Sequence, residues 1–382
     1  GSGGLSTSSS LKNILGNFSN LKNPKLGALA DNGGPTKTHA LLPGSLAIDA
    51  GVNARSDEAG LIEDQRGRSR SVKLALGTGV VDIGAYETGL TVSTLVDKND
   101  GVYTEGNVSL REALSLAAAL PGKQEIDFAP DLATGVITLA FGALSINSSV
   151  EIIGPRADKL TIDAHNLSRV ISVDDGNSNA LIDVAISGVT ITGGDLGSTS
   201  FGGGIYSVEN LALDGVVITG NMARQGGGLY HFGGALEISN STIDDNTGHF
   251  GGGAVVESAA STLITGSTFS RNKSIQLFSP TLVAGSGSTA ALQLKTNPST
   301  SPALIVNSTF AENTAEGNVA GVTLNQANAT FINNTIANNT AGNGPVAGVQ
   351  ANSPSSLTLH NTIIAKNTLG NGQSADLTGV IN

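Results

Sequence analysis

Apolar and polar residues alternate in this chain over short runs, as in Leu211-Ala212-Leu213 and Leu357-Thr358-Leu359. A period of two sends successive side chains to opposite faces of a strand, whereas helical repeats would space apolar residues at 3.6 and run long without glycine. Between the runs a phrase recurs: a small polar pair, Thr or Val, an apolar residue, two variable positions, then Asn. It reads Val216-Val217-Ile218 with Asn221, Asn240-Ser241-Thr242-Ile243 with Asn246, and Ser267-Thr268-Phe269 with Asn272. It continues as Asn307-Ser308-Thr309-Phe310 with Asn313, Asn334-Thr335-Ile336 with Asn339, and Asn361-Thr362-Ile363-Ile364 with Asn367. Val189-Thr190-Ile191 with Gly194 is an earlier, imperfect copy.

The apolar anchors set the period. From Ile191 the steps are 27, 25, 26, 41, 26 and 28, ending at Ile364. The step of 41 exceeds the others by about 15 residues and locates an insertion within Ser274–Ser301. Short strands, tight corners and a period near 26 predict a parallel β-helix, each coil stacked about 4.8 Å above the last. Residues 126–382 would hold about ten such coils. The recurring Asn221, Asn246, Asn272, Asn313, Asn339 and Asn367 fit an internal ladder at one corner, each amide bonding backbone and its neighbour. Triplets Gly202–Gly204, Gly226–Gly228 and Gly251–Gly253 supply positive φ at tight corners where a Cβ would clash. None opens a helix before Lys-Ser/Thr, so a phosphate-cradling role is not expected. Sequons such as Asn240-Ser241-Thr242 fall inside the repeat phrase and read as its grammar.

Composition adds the surroundings. The 382 residues carry 51 Gly, only 13% charged residues, no Cys and no Trp. Many Val, Ile and Thr separate the chain from a disordered one. A net charge of −11 argues against nucleic-acid backbones and anionic membranes. No stretch approaches the apolar run of a membrane span. Zero Cys rules out a disulfide scaffold and Cys-based zinc sites. Residues 1–12 read as a tag or linker, and the chain as an excerpt of a larger exported protein.

Val108 to Leu120 is the clearest helix: Ser109 and Glu112 form a capping box, and Pro121-Gly122 ends it. Its apolar face can lie over the first coil as a lid, because an open edge of strands templates aggregation. Thr94-Leu95-Val96-Asp97-Lys98-Asn99-Asp100-Gly101, followed by Ser109-Leu110-Arg111-Glu112-Ala113, resembles the "CSLREA" signature. That signature opens right-handed β-helix modules of large bacterial surface proteins; its usual Cys position is Val108 here. Residues 90–125 would therefore be the cap, with Ser109, Leu110, Arg111 and Glu112 its signature. Asp97, Asn99, Asp100 and Glu105 are also a candidate Ca²⁺ loop, since hard oxygen ligands on a Gly-bent turn suit that ion. The spacing is not that of an EF-hand, and an Asx-rich turn is the commoner outcome.

Residues 26–87, within a segment 13–89, show no coil period. Leu26 to Thr36, Ala40 to Gly51, Asp64-Gln65-Arg66-Gly67-Arg68 and Val81-Asp82-Ile83-Gly84-Ala85-Tyr86-Glu87 resemble, in order, the "choice-of-anchor Q" region. In that family the region follows the coils and closes the module; here it precedes them. A tandem array, a circular permutation, or an offset serving assembly would each explain this. In the last case residues 11–89 of one copy finish the open last coil of another, a head-to-tail contact.

The resemblance implies an all-β, right-handed parallel β-helix with a capping helix and an irregular N-terminal segment. The implied function is a non-catalytic structural or adhesive module, extracellular on a bacterial surface. Its partners would be neighbouring copies and surface glycans; no cofactor beyond Ca²⁺ is implied. The competing reading is a carbohydrate-active β-helix enzyme, a lyase or hydrolase, which needs paired carboxylates on one face. Its candidates are Asp174-Asp175 and Asp244-Asp245, with His249 and Arg271, but the Gly-His-Gly and Arg-x-Lys companions are absent. A third reading, ice or flat-surface binding by Thr190, Thr242, Thr268, Thr309 and Thr335, fails to find a second regular threonine file.

Overall fold

The computed structural model describes residues 25–30, 35–41, 45–47, 50–61, 63–66, 81–87, 90–101, 107–119, 123–275, 289–295, 302–342 and 344–379. From Leu90 onward the strands stack into four sheets. Sheet A has ten strands, from Leu90–Val92 and Gln124–Phe128 to Ser356–His360. Sheet B has nine, from Gly135–Thr138 to Ile363–Ala365; sheet C has six, from Met222–Gln225 to Thr368–Leu369; sheet D has nine, from Leu144–Ile146 to Leu377–Gly379. Every strand pairing within these sheets is parallel, residue on equivalent residue, as in Ile191 on Ile218 and Ile218 on Ile243. This is a parallel β-helix.

It has about nine turns rather than the ten that the period predicts, because two coils are long. Val150 pairs with Val184, 34 positions on, since Asp174–Ile182 forms an extra loop between sheets D and A. Thr268 pairs with Thr309, 41 positions on. That insertion is split: Ala254 pairs with Leu292, 38 positions on, and Leu292 with Val322, 30 on. The added residues thus fall in 276–288 and 296–301, outside the described residues. The stack also starts earlier than residue 126, because Leu90–Val92 pairs with Ile126–Phe128.

Alternation fills the core. On sheet B, Ile162, Ile191, Ile218, Ile243, Phe269, Phe310 and Ile336 form one inward file with no exposure. Phe269 stacks on Phe310 at 4.9 Å between ring centroids, and Phe310 on Phe331 at 6.4 Å. Such offset aromatic stacks add to the burial of their apolar area.

Corners are made by residues with positive φ. Between sheets A and B the same position is Gly188, Gly215, Asn240, Gly266, Asn307, Asn333 and Asn361, with φ from 46° to 61°. Asn joins Gly there because its short polar side chain tolerates the left-handed region. This is the physical content of the sequon-like triplets. Between B and C the corner residue is Gly193, Gly220, Asp245, Arg271, Glu312, Asn338 or Lys366. The glycine triplets work in two ways. Only Gly202, Gly226 and Gly251 have positive φ. The second and third glycines are required because neighbouring coils approach too closely for any Cβ, which at Gly227 would lie 2.2 Å from the Thr247 carbonyl oxygen.

The N-terminal segment pairs Leu26–Ala30 with Thr38–Leu41 antiparallel and adds a short helix, Asn53–Glu58. A buried polar knot ties its later motifs together. Asp64 receives the Arg66 guanidinium at 2.7 Å and the Glu87 amide at 3.0 Å, while Arg66 lies over the Tyr86 ring at 3.6 Å.

Candidate functional site

The asparagines that follow the B–C corner stand in one buried file. Asn246 donates from both its backbone amide (3.1 Å) and Nδ2 (3.1 Å) to Oδ1 of Asn272 in the next coil. Its Nδ2 also donates to the Ile218 carbonyl below, at 2.9 Å. Asn221, Asn272, Asn313 and Asn339 repeat this pattern upward, each onto the asparagine of the following coil. Among the described residues no asparagine stands above Asn367. Its amide and Nδ2 donate instead to Asp376 Oδ1, both at 2.9 Å, so a carboxylate ends the ladder.

A second file at the A–B corner was not read from the sequence. The Val216 amide donates to Ser241 Oγ, Ser241 to Ser267 Oγ, and Ser267 to Ser308 Oγ, each at 3.2 Å. Ser308 then donates to Asn334 Oδ1 at 2.8 Å, and Asn334 to Thr362 Oγ1 at 3.4 Å. The small polar pair that opens each repeat phrase was its only trace.

The carboxylates proposed for acid and base chemistry do not converge. Asp244 and Asp245 lie at the B–C corner, Asp174 and Asp175 at the D–A corner two coils below. Asp244 accepts from Ser270 Oγ at 2.7 Å and pairs with Arg271, while Asp245 pairs with Lys273 at 2.9 Å. His249 Nδ1 lies 3.0 Å from the Ile275 carbonyl oxygen and is buried. Asp174 and Asp175 accept the Gly176 and Asn177 amides in tight Asx turns, at 2.8 and 2.7 Å. Glu209, which sequence reasoning missed, joins them: one carboxylate oxygen from each of the three lies within 4.8 Å of the others. Its oxygens take the Ile182 and Asp175 amides, and burial pushes its pKa up.

The Thr file on sheet B is confined to one row, Thr190, Val217, Thr242, Thr268, Thr309 and Thr335. On sheet D the outward row carries Tyr206 and Tyr230, stacked at 5.9 Å, with Arg169 over Tyr206 and Glu257 accepting from Tyr230 Oη at 3.0 Å. Arg169, Tyr206, Tyr230 and Glu257 thus brace one another.

His231 points into the core with no exposure; its Nε2 lies 2.9 Å from the Gly234 carbonyl oxygen and its Nδ1 meets no partner. Burial pushes its pKa below the usual value. Above pH ~6.5 the ring is neutral folded and unfolded, and no pH dependence arises. Below it the unfolded chain takes up a proton that the folded chain refuses, so stability falls with pH down to the folded pKa. Urea melts between about pH 7.5 and 5 are expected to show this acid slope, and His231→Gln to remove that part of it. Equal slopes would show that His231 is not its source.

At the start of the stack the helix is Leu110–Ala118, with Ser109 as N-cap and a reciprocal Ser109–Glu112 capping box. Leu110, Ala113, Leu114 and Ala117 bury its underside. Glu112 also gathers the Asp100 and Gly101 amides, at 3.0 and 3.2 Å. Asp97 is not laid out as a cation ligand. Its carboxylate takes Arg111 Nε at 2.8 Å, Arg111 Nη2 at 2.9 Å, and the Ala140 and Phe141 amides at 2.7 and 3.2 Å. One of those donors meets Oδ1 and three meet Oδ2. Asn99 and Asp100 are exposed, and Glu105 lies outside the described residues. Asp97 and Arg111 thus form an ion-pair clamp at the first coil.

Among the described residues the other end of the stack is less well covered: the inward-facing Leu359, Ile364 and Leu377 are only partly buried. Among the described residues no helix is long and apolar enough to cross a membrane. No curated protein and no solved structure matches the chain. A family model described as right-handed beta helix region matches residues 169–364, just over half of the chain and most of the coils described above. On that match and this architecture, the chain belongs to the right-handed β-helix family.

Proposed function

We propose that this chain is a non-catalytic structural module of a large extracellular bacterial surface protein, joined to neighbouring copies head to tail. One observation carries the reading: the two ends of the stack differ. The first coil is sealed by a helix and a buried ion pair, whereas in the last described coil the inward positions Leu359, Ile364 and Leu377 are only partly covered. In the head-to-tail contact, residues 11–89 of the next copy cover that last coil. Their described part supports this, for Leu26 and Leu29 are 47% and 56% exposed and line an open, largely apolar cavity of about 370 Å³ with Leu41, Ile83 and Tyr86. The motif order of residues 13–89, similar to a region that closes such coils, points the same way. Ladders of buried amides and stacked rings make the body stiff, which suits a spacer that also offers long faces for weak contacts with surface glycans.

The test is size against concentration, by light scattering with electron microscopy of the same samples. End-to-end species are expected, and both Leu29→Asp and Leu359→Asp should return them to single chains. A strictly single chain at the highest attainable concentration would overturn the head-to-tail contact.

A second reading, a polysaccharide lyase or hydrolase, draws on one observation: Glu209 is held toward its protonated form beside Asp174 and Asp175. An acid so placed beside a charged carboxylate is the pairing such chemistry uses. However, Glu209 is 2% exposed and both its oxygens face backbone amides. A reducing-sugar assay over a panel of acidic and neutral polysaccharides is expected to show no release. Release that Glu209→Gln abolishes would establish the enzyme instead.

A further inference from the structure

The turn that precedes the capping helix holds an amine against a side-chain amide. Ser109 Oγ donates to the Lys98 carbonyl oxygen at 2.7 Å, and Glu112 Oε1 takes the Asp100 and Gly101 amides at 3.0 and 3.2 Å. Glu112 Oε2 takes the Ser109 amide at 3.0 Å. The Val108 amide donates to Ser93 Oγ at 2.9 Å, and the Val108 carbonyl oxygen accepts the Ser93 amide at 2.8 Å. Lys98 is therefore pinned at its own carbonyl, and Asn107 through the two residues that follow it. Their side chains meet between these fixed points. Lys98 Nζ donates to Asn107 Oδ1 and also to Asp100 Oδ2, the latter at 3.2 Å. Only 16% of the Lys98 side chain is exposed. One amine thus touches a carboxylate and an amide carbonyl at once, and those are the groups that amide exchange uses.

We propose that this is a self-modification site, at which Lys98 Nζ and Asn107 Cγ join in an amide bond while Asp100 moves the proton. A lysine attacks only through its neutral amine, and a carboxylate in contact with it is placed to accept the proton. Asp100 takes one proton from the Lys98 ammonium. The pair freed on Nζ attacks Cγ, and the carbonyl electrons move onto Oδ1. As they return, the bond from Cγ to Nδ2 breaks. Nδ2 departs as ammonium, carrying its own two hydrogens, the proton held by Asp100 and one from Nζ. Atoms and charge balance, and no oxidant or cofactor is consumed. An amide is a weak electrophile, so the reaction depends on position. Groups held in contact react as if at concentrations of about 10⁵–10⁸ M. The product ties the turn that carries Asp97 to the start of the helix through a covalent ring. Such closure stabilises by removing freedom from the unfolded chain. It stands independently of the head-to-tail contact.

The experiment is the intact mass of the full chain, followed by peptide mapping after trypsin. The expected mass is lower than the sequence requires by one ammonia. Trypsin should no longer cut after Lys98, and a branched peptide should carry Lys98 and Asn107 together. Lys98→Arg keeps the positive charge but replaces the amine with a guanidinium that does not attack. It is expected to fold, by far-ultraviolet circular dichroism, and to show the full mass. Asp100→Asn should leave most of the chain unjoined when measured directly after purification; joining at the parent's level would remove Asp100 from the reaction. Ammonia is also lost by ring closure at Asn-Gly steps such as Asn371-Gly372. A loss that survives Lys98→Arg comes from such a step and overturns the proposal. So does a folded parent chain of unaltered mass, a result that needs no variant.

Discussion

Replacing Asn272 by Ala is expected to destabilise the chain by about 3–4 kcal/mol. Asn272 is fully buried. Its Oδ1 is the acceptor for both the Asn246 amide and Asn246 Nδ2, and its Nδ2 serves the Ile243 carbonyl and Asn313 Oδ1. Truncation removes no water-exposed group, so nothing outside replaces the lost partners. A buried donor left without an acceptor costs about 1–3 kcal/mol, and the Asn246 amide would be one such donor. The small void left by the amide adds to this. Against a typical net stability of about 5–15 kcal/mol this is a large fraction. Coils couple mainly to their neighbours, so the loss should also loosen the joint between the coils on either side. Urea melts and amide exchange at Asn246 measure both effects. Thr268→Val, on the outer face of the same coil, is the control and should stay within about 0.5 kcal/mol. If Asn272→Ala did no more than that control, the ladder would not be a source of stability.

The repeat was legible in the sequence because parallel stacking puts equivalent residues on equivalent residues. Ile191, Ile218 and Ile243 pair in register, so their spacing along the chain is the length of a coil. The asparagine sits at a fixed distance after each anchor, a signal a single sequence carries. The serine file carries a weaker one, since Val216, Ser241, Ser267, Ser308, Asn334 and Thr362 share a position but not a residue type: the corner needs only some oxygen to accept an amide. The loop Asp174–Ile182 left no trace because the first clear anchor, Ile191, lies beyond it. For the same reason Glu209 was not set beside Asp174 and Asp175. Asp97 was read as one oxygen of a candidate Ca²⁺ loop beside the commoner Asx turn, because a carboxylate among Asx residues on a turn suits a cation. Its actual partners are a guanidinium 14 residues on and amides 43 and 44 residues on. Local sequence cannot announce contacts of that range. Glycine was read for its freedom of φ, when at Gly227 and Gly228 the need is for empty space.

That distinction yields an expectation as large as the first. In Gly227→Ala the new Cβ would lie 2.2 Å from the Thr247 carbonyl oxygen and 2.6 Å from that of Gly252, both backbone atoms of the next coil. Neither can rotate away, so the two coils must part by close to 1 Å to reach ordinary contact. The Gly227 amide donates to the Gly251 carbonyl oxygen at 3.0 Å and the Gly226 amide to that of Phe250 at 3.0 Å, and both bonds lie in the path of that movement. Overpacking against yielding side chains costs about 1–3 kcal/mol; against a backbone ladder the loss should be at or above the top of that range. Gly215 gives the contrast. Its φ is +58° and a Cβ there meets nothing within 4 Å, so Gly215→Ala carries only left-handed strain, about 1–2 kcal/mol. Gly215→Asn should be milder still, because Asn240, Asn307, Asn333 and Asn361 hold the equivalent corner in later coils with φ of 46° to 55°. Urea melts of the three variants should therefore rank Gly227→Ala far below Gly215→Ala, and Gly215→Asn closest to the parent. If the two alanine variants were equally destabilised, φ alone would account for both glycines, and the close approach of coils at the triplets would have no energetic weight.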